Sequence, residues 1–257
     1  MGFLQAMQQM GQSENKQGLE PYLVRPMNKD GKEIRVWLKV QGDWRQDTLD
    51  IIGVTRLDIA DYNASAVPLK KYMYRKPPSQ TTSSFSPIHL TGSLKNDAEK
   101  NRELFCPPDW EQNKDTHFAK MKNRILDAYE REGIFTSGSV DRIFQGMEEK
   151  IDAILPDLDN KQSYMVVFVI DDNGEPIYPG EVPTFEKFFV RKLEQSLAGG
   201  KQAPKKKKST VNVGHKQSCS ICGSQMSSGI TLDRVFKFAT FDKISVLAGL
   251  DKQEIPY

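Results

Sequence analysis

Residues 164–170 (YMVVFVI) constrain this 257-residue chain more than any other stretch. All seven are apolar and four are β-branched, between Ser163 and Asp171. A run this short and this rich in β-branched residues is a strand, and one without a polar face must be covered on both sides. It therefore predicts the centre of a sheet with packed layers above and below. Asp171-Asp172-Asn173-Gly174 turns the chain out of it.

Other segments supply partners. Ile34, Val36, Leu38 and Val40 alternate with Glu33, Arg35, Trp37 and Lys39, the pattern of a strand with one wet face. Asp30-Gly31 predicts a hairpin turn joining that strand to an earlier one over residues 22–27. Trp37 falls on the wet face and is read as a lid over a small satellite core in preference to a partner contact. Residues 48–61 predict a further strand, broken by Gly53, and residues 77–94, rich in Pro, Ser and Thr, predict an irregular loop.

Helical spacing appears in several places. Residues 3–10 predict a short helix. Phe118, Met121, Ile125 and Tyr129 predict a helix over 115–132 with Gly133 as its C-cap. Val140, Ile143, Phe144, Met147, Ile151 and Ile154 predict one over 139–155, with Ser139 as N-cap and Pro156 as the stop. Phe185, Phe188, Phe189 and Leu193 mark the apolar face of a helix over 184–197. The fold class is α+β: a mixed or antiparallel sheet with flanking helices, followed by an incomplete zinc-ribbon-like module. The organisation predicted is an α+β domain over 1–198, a Lys-rich linker over 199–216 and a CxxC module over 217–257.

Charge is informative only by window. The chain carries 36 Lys+Arg against 34 Asp+Glu, a net charge of +2. Yet residues 62–96 hold five basic residues and no acid, and residues 195–232 hold six lysines and no acid. The remainder of the chain is net −9. Two acid-free basic windows in an acidic background point to two polyanion sites, the alternative being two solvated loops. In the first window, residues 70–76 (KKYMYRK) interleave Lys70, Lys71, Arg75 and Lys76 with Tyr72 and Tyr74. Cations neutralise phosphates, while Tyr72 or Tyr74 could stack on a base or pack inward; a charge-protected edge strand is the competing reading. In the second window, Lys205, Lys206, Lys207 and Lys208 suit salt-dependent contact with a phosphate backbone, or serve only as a solubilising linker.

Cys219-Ser220-Ile221-Cys222-Gly223 has the spacing of a zinc knuckle, two thiolates with a glycine that lets the chain turn under the metal. A complete site needs two more ligands, and the sequence to Tyr257 supplies no second CxxC. Zinc is therefore expected to be held incompletely or not at all. A redox pair and two ordinary thiols are the other readings. Cys106 has no neighbouring ligand in sequence and is read as an inert thiol, His215 in its Lys-rich stretch is read as solvated, the two completing a zinc site only by coincidence of folding, and His89 and His117 are isolated. No phosphate loop, nucleophile elbow or HExxH motif is present, so no enzyme is expected. No apolar run approaches the roughly 20 residues of a membrane span, and the N-terminus has no secretory pattern. With only three cysteines, a cytoplasmic location with reduced thiols is expected.

Four segments taken in order resemble a known family: residues 71–75 (KYMYR), 167–181 (VFVIDDNGEPIYPGE) leading into 185–189 (FEKFF), 219–223 (CSICG) and 236–243 (FKFATFDK). Together they resemble the N-terminal half of the large subunit of type I-B CRISPR Cascade complexes, the family named for its CxxC…CxxC pattern. Ala239 stands where that family usually has an aromatic residue, and the family's second CxxC would fall near Tyr257, so the resemblance implies an N-terminal portion. It further implies a non-catalytic subunit that binds duplex DNA at the protospacer-adjacent motif, helps open it, and helps recruit the helicase-nuclease. The partners implied are guide RNA, target double-stranded DNA, the other Cascade subunits and the helicase-nuclease, with no membrane. Lys70, Lys71, Tyr72, Tyr74, Arg75 and Lys76 are then the candidates for DNA or guide contact. Lys205 to Lys208 would contact the backbone, and Cys219 and Cys222 would be half of a structural zinc site. A free-standing zinc-knuckle adaptor for protein partners is the alternative from a different class.

Overall fold

Strand β4 (Ser163–Asp172) is the axis of the molecule's main sheet, and Tyr164 through Ile170 are each at most 2% exposed. The structure is a computed structural model that describes residues 19–76 and 84–197, with two short strands at 217–218 and 225–226. The chain divides into two compact units, residues 1–189 and 190–257. In the first, β1 (Gly31–Val40), β2 (Ile51–Tyr62), β3 (Ile88–Ser93), β4 and β5 (Glu175–Ile177) form a five-stranded sheet. Its order is β2-β1-β4-β3, with β5 continuing β4 as a hairpin. β1 and β4 run parallel and every other pair is antiparallel, so the sheet is mixed and the fold is α+β.

The register fixes two faces. Ile34, Val36 and Leu38 lie beside Val166, Phe168 and Ile170, giving one fully apolar face. Helix α5 (Ser139–Lys150) packs there through Gly146, where an added Cβ would sit 3.0 Å from the Val54 side chain on β2. Glycine at this position lets helix and strand backbones approach closely. Glu33, Arg35 and Trp37 point the other way, beside Met165, Val167 and Val169. A second core lies on that face, built from Trp37, Tyr62, Tyr72, Tyr74, Ile88, Met165, Val167, Val169 and Tyr178 with Met27 and Ala64. Trp37 is 1% exposed within it, so the lid reading holds.

Several expectations need correction. Residues 22–27 form no strand: Pro26 has no N–H for a ladder, and β1 pairs with β2 instead. β2 is not broken at Gly53. It runs on through two bulges, which leave Thr55 and Ile52 as the extra residues on this edge strand. Residues 88–93, expected as loop, form the opposite edge strand β3, whose alternation is too short to stand out from its Pro- and Ser-rich surroundings.

The helix expected over 115–132 is present in three parts: α3 (His117–Met121), a π turn (Lys122–Leu126) and α4 (Asp127–Arg131). Thr116 caps it, its Oγ1 accepting from the Ala119 N–H at 3.2 Å, and Gly133 takes φ 73° just beyond its end. α5 is capped by Gly138, not Ser139, and the Glu130 carboxylate accepts from the N–H groups of Gly138 (2.9 Å) and Val140 (3.0 Å). A carboxylate placed there also opposes the positive end of the helix dipole. Beyond α5 the predicted continuation becomes two 3-10 turns, Ile151–Ala153 and Leu155–Asp157. α6 (Pro183–Leu197) buries Phe185, Phe188 and Phe189. Among the described residues no helix is long and apolar enough to cross a membrane.

In the second unit, β6 (Gln217–Ser218) pairs antiparallel with β7 (Gln225–Met226). The helix expected over 3–10 and the Lys-rich linker lie outside the described residues.

Candidate nucleic-acid interface

The basic turn begins at Pro68, whose extended backbone precedes a single helical turn, α1 (Leu69–Tyr72). Met73 then takes the left-handed conformation, φ 46° and ψ 45°, and its N–H donates to the carbonyls of Leu69 (3.2 Å) and Lys70 (3.1 Å). A non-glycine residue in this region carries a conformational cost and persists only where its surroundings fix it. Here they do. The Ser86 hydroxyl donates to the Met73 carbonyl, and Val24 N–H donates to the Tyr74 carbonyl at 2.8 Å.

Glu33 is the anchor beneath this turn. It sits on β1 at 1% exposure, and its two carboxylate oxygens accept from the hydroxyls of Tyr72 (2.5 Å) and Tyr178. A buried carboxyl must be met by donors in this way, since an unpaired one is costly. The Tyr72 and Tyr178 rings meet edge to face with centroids 5.7 Å apart. Burial, then the Glu33 carboxylate, raise both phenol pKa values far above the ordinary range, so both remain donors. Gly180, in the 3-10 turn Pro179–Glu181, is pressed against the backbone of the basic turn. An added Cβ would lie 1.6 Å from the Lys70 carbonyl oxygen. The carboxylate, two phenols and one glycine thus clamp two surface turns onto the sheet.

The six candidate residues of the first window separate into two groups. Tyr72 and Tyr74 are 1% and 5% exposed and belong to the second core. Of the two readings of these rings, stacking on a base or packing inward, burial fits the second: a helical turn followed by a left-handed residue carries both into the core. Lys70 and Lys76 are exposed, and Lys70 lies 3.7 Å from the Glu186 carboxylate. Lys71 is half-buried with Nζ 3.7 Å from the Tyr178 ring centroid. Burial lowers its pKa, opposed by the charge of Glu33. Arg75 lies 5.3 Å from the Phe85 ring centroid, and its Nη1 is buried with no hydrogen-bond partner among the described residues. Burial lowers its pKa as well. Two of these cations are therefore partly desolvated.

Lys205, Lys206, Lys207, Lys208, Cys219 and Cys222, like His215, lie outside the described residues. Among the described residues no group of three or more His, Cys, Asp or Glu is placed to hold a metal. Cys106 is buried at the end of α2 (Ala98–Phe105), and burial pushes its thiol up to about 11, making it a poor nucleophile.

Sequence spacing missed Glu33, Tyr178 and Gly180. Glu33 reads as an ordinary wet-face strand residue. The clustered Tyr178-Pro179-Gly180-Glu181 was the available signal of a specialised turn. His89 and His117 also looked isolated, yet His89 Nε2 lies 2.9 Å from His117 Nδ1, joining β3 to α3. Comparisons with protein-family models, with curated proteins and with solved structures find no match to this chain.

Proposed function

We propose that this chain is the N-terminal part of a non-catalytic large subunit of an RNA-guided CRISPR Cascade effector, binding target DNA at the protospacer-adjacent motif. In this reading it supports strand opening and recruits a helicase-nuclease in antiviral defence. The guide reads the target by base pairing, while the protein contributes motif and backbone contacts. One observation carries the reading. Lys70, Lys71, Arg75 and Lys76 sit on a turn whose backbone is held by the Glu33–Tyr72–Tyr178 clasp, and Glu186 is the single carboxylate that forms an ion pair with them among the described residues. A cationic turn fixed before binding loses less entropy on meeting a phosphate backbone than a mobile one. Tyr72 and Tyr74 serve this reading as anchors of the turn and not as stacking platforms. Cys219 and Cys222 supply two thiolates, so zinc binding by this chain is weak.

Assembly tests the reading directly. Co-expressed with the backbone subunits and guide RNA of a type I-B complex from the same source, the full chain is expected to co-purify in a ribonucleoprotein particle. A chain that stays monomeric and free of RNA under those conditions removes the proposal.

A further inference from the structure

The π turn after α3 sorts the cations of that segment into two kinds. Lys122 Nζ faces carboxylates, 2.9 Å from Asp141 and 3.8 Å from Glu111. Lys120 and Arg124, like His117, are each half-buried on this segment. Neither Lys120 nor Arg124 forms an ion pair among the described residues. His117 holds His89 on the adjoining edge strand, and the charges of Lys120 and Arg124 both act on His89. The loop over residues 84–87 connects these cations to the basic turn: Ser84 N–H donates to the Arg124 carbonyl at 2.7 Å, and Arg75 rests against Phe85.

We infer that Lys120 and Arg124, together with Arg75, form a second phosphate-contacting stripe along the loop of residues 84–87, built to take the backbone of a nucleic acid. Its extension favours a repeating anion over a single small one. The charges are partly desolvated and form no ion pair among the described residues. A protein partner would instead call for apolar anchors beside them, and the only exposed large hydrophobic of these elements is Leu90 on β3. The inference goes beyond the function proposed above, because it requires a polyanion and no guide, complex or sequence motif.

The test uses the full chain alone with a fluorescent 20-mer duplex lacking any motif, titrated between 50 and 200 mM salt. The variant K120A/R124A is expected to bind about tenfold more weakly at 100 mM salt. The slope of log affinity against log salt should become shallower by about two, roughly one per lost phosphate contact. K120R/R124K should keep the slope, and both variants should melt at the wild-type temperature. Failure of the wild-type chain to bind the duplex at 50 mM salt overturns the inference. So does an unchanged slope in K120A/R124A, or weaker binding with the slope intact. A particle that fails to assemble while this slope result holds would remove the CRISPR reading and leave the stripe standing.

Discussion

Lowering the pH from 7 to 5 is expected to cost the fold on the order of 3 kcal/mol through His89 and His117 alone. Burial comes first in holding His89 at about 3, followed by His117, Lys120 and Arg124; burial and then Lys120 hold His117 at about 4. Both values lie below the roughly 6.5 of an unfolded histidine. The unfolded chain therefore binds up to two more protons than the native one between pH 4 and 6.5. The stabilising contribution is complete above about pH 6.5 and is lost progressively as the pH falls toward the folded values. In urea titrations, H89L/H117L should show a flatter pH dependence than wild type over this interval, because an apolar pair has no proton to take up. Carboxylates titrate in both proteins and cancel in the comparison. Identical pH dependence of the two proteins would contradict the account of the pair.

The Gly180→Ala variant is expected to lose more than about 3 kcal/mol, a fall of roughly 6–12 °C in thermal midpoint for a domain this size. The reason is contact and not conformation. The new Cβ would meet the Lys70 carbonyl oxygen at 1.6 Å and the Lys70 carbonyl carbon at 2.6 Å, and both are backbone atoms that no side-chain rotation can move. Either the Pro179–Glu181 turn lifts from the basic turn, breaking the Tyr178–Glu33 bond, or the basic turn itself shifts. Gly174→Ala is the matched control. That position has φ 94° and nothing within 4 Å of its added Cβ, so only backbone strain, about 1 kcal/mol, is expected. Equal losses in the two variants would show that the close approach of the two turns does not matter.

How far the sequence reveals these features depends on whether the signal is local. The apolar run of β4, the alternation of β1 and the apolar faces of α3–α4, α5 and α6 are written in consecutive residues, and all are present in the structure. β3 was illegible because Ile88, His89 and Leu90 are flanked by Pro87 and Gly92 in a Ser/Thr-rich stretch. The partner of β1 was misread because a turn dipeptide, Asp30-Gly31, promises a hairpin only if the preceding residues can donate to a ladder, and Pro26 cannot. In the candidate site the cations were legible as an acid-free window. The clasp was not. Glu33 and Tyr178 are 145 residues apart, and Glu33 carries no local mark that distinguishes a buried carboxylate from a solvated one on the same strand face. The stripe was half legible: Lys120 and Arg124 lie outside the acid-free windows because Asp115, Asp127 and Glu130 surround them in sequence, and only the fold separates them from Lys122, which meets Asp141.

The central claim is that the clamped turn at residues 70–76 is a nucleic-acid contact surface. It is tested most directly by the salt dependence of binding to a motif-bearing duplex, measured in the assembled complex for wild type and for K70A/K71A/R75A/K76A. The account predicts weaker binding and a slope of log affinity against log salt that is shallower by about three to four, the range reflecting the share of Lys70 already taken by Glu186. Unchanged affinity together with an unchanged slope would contradict it.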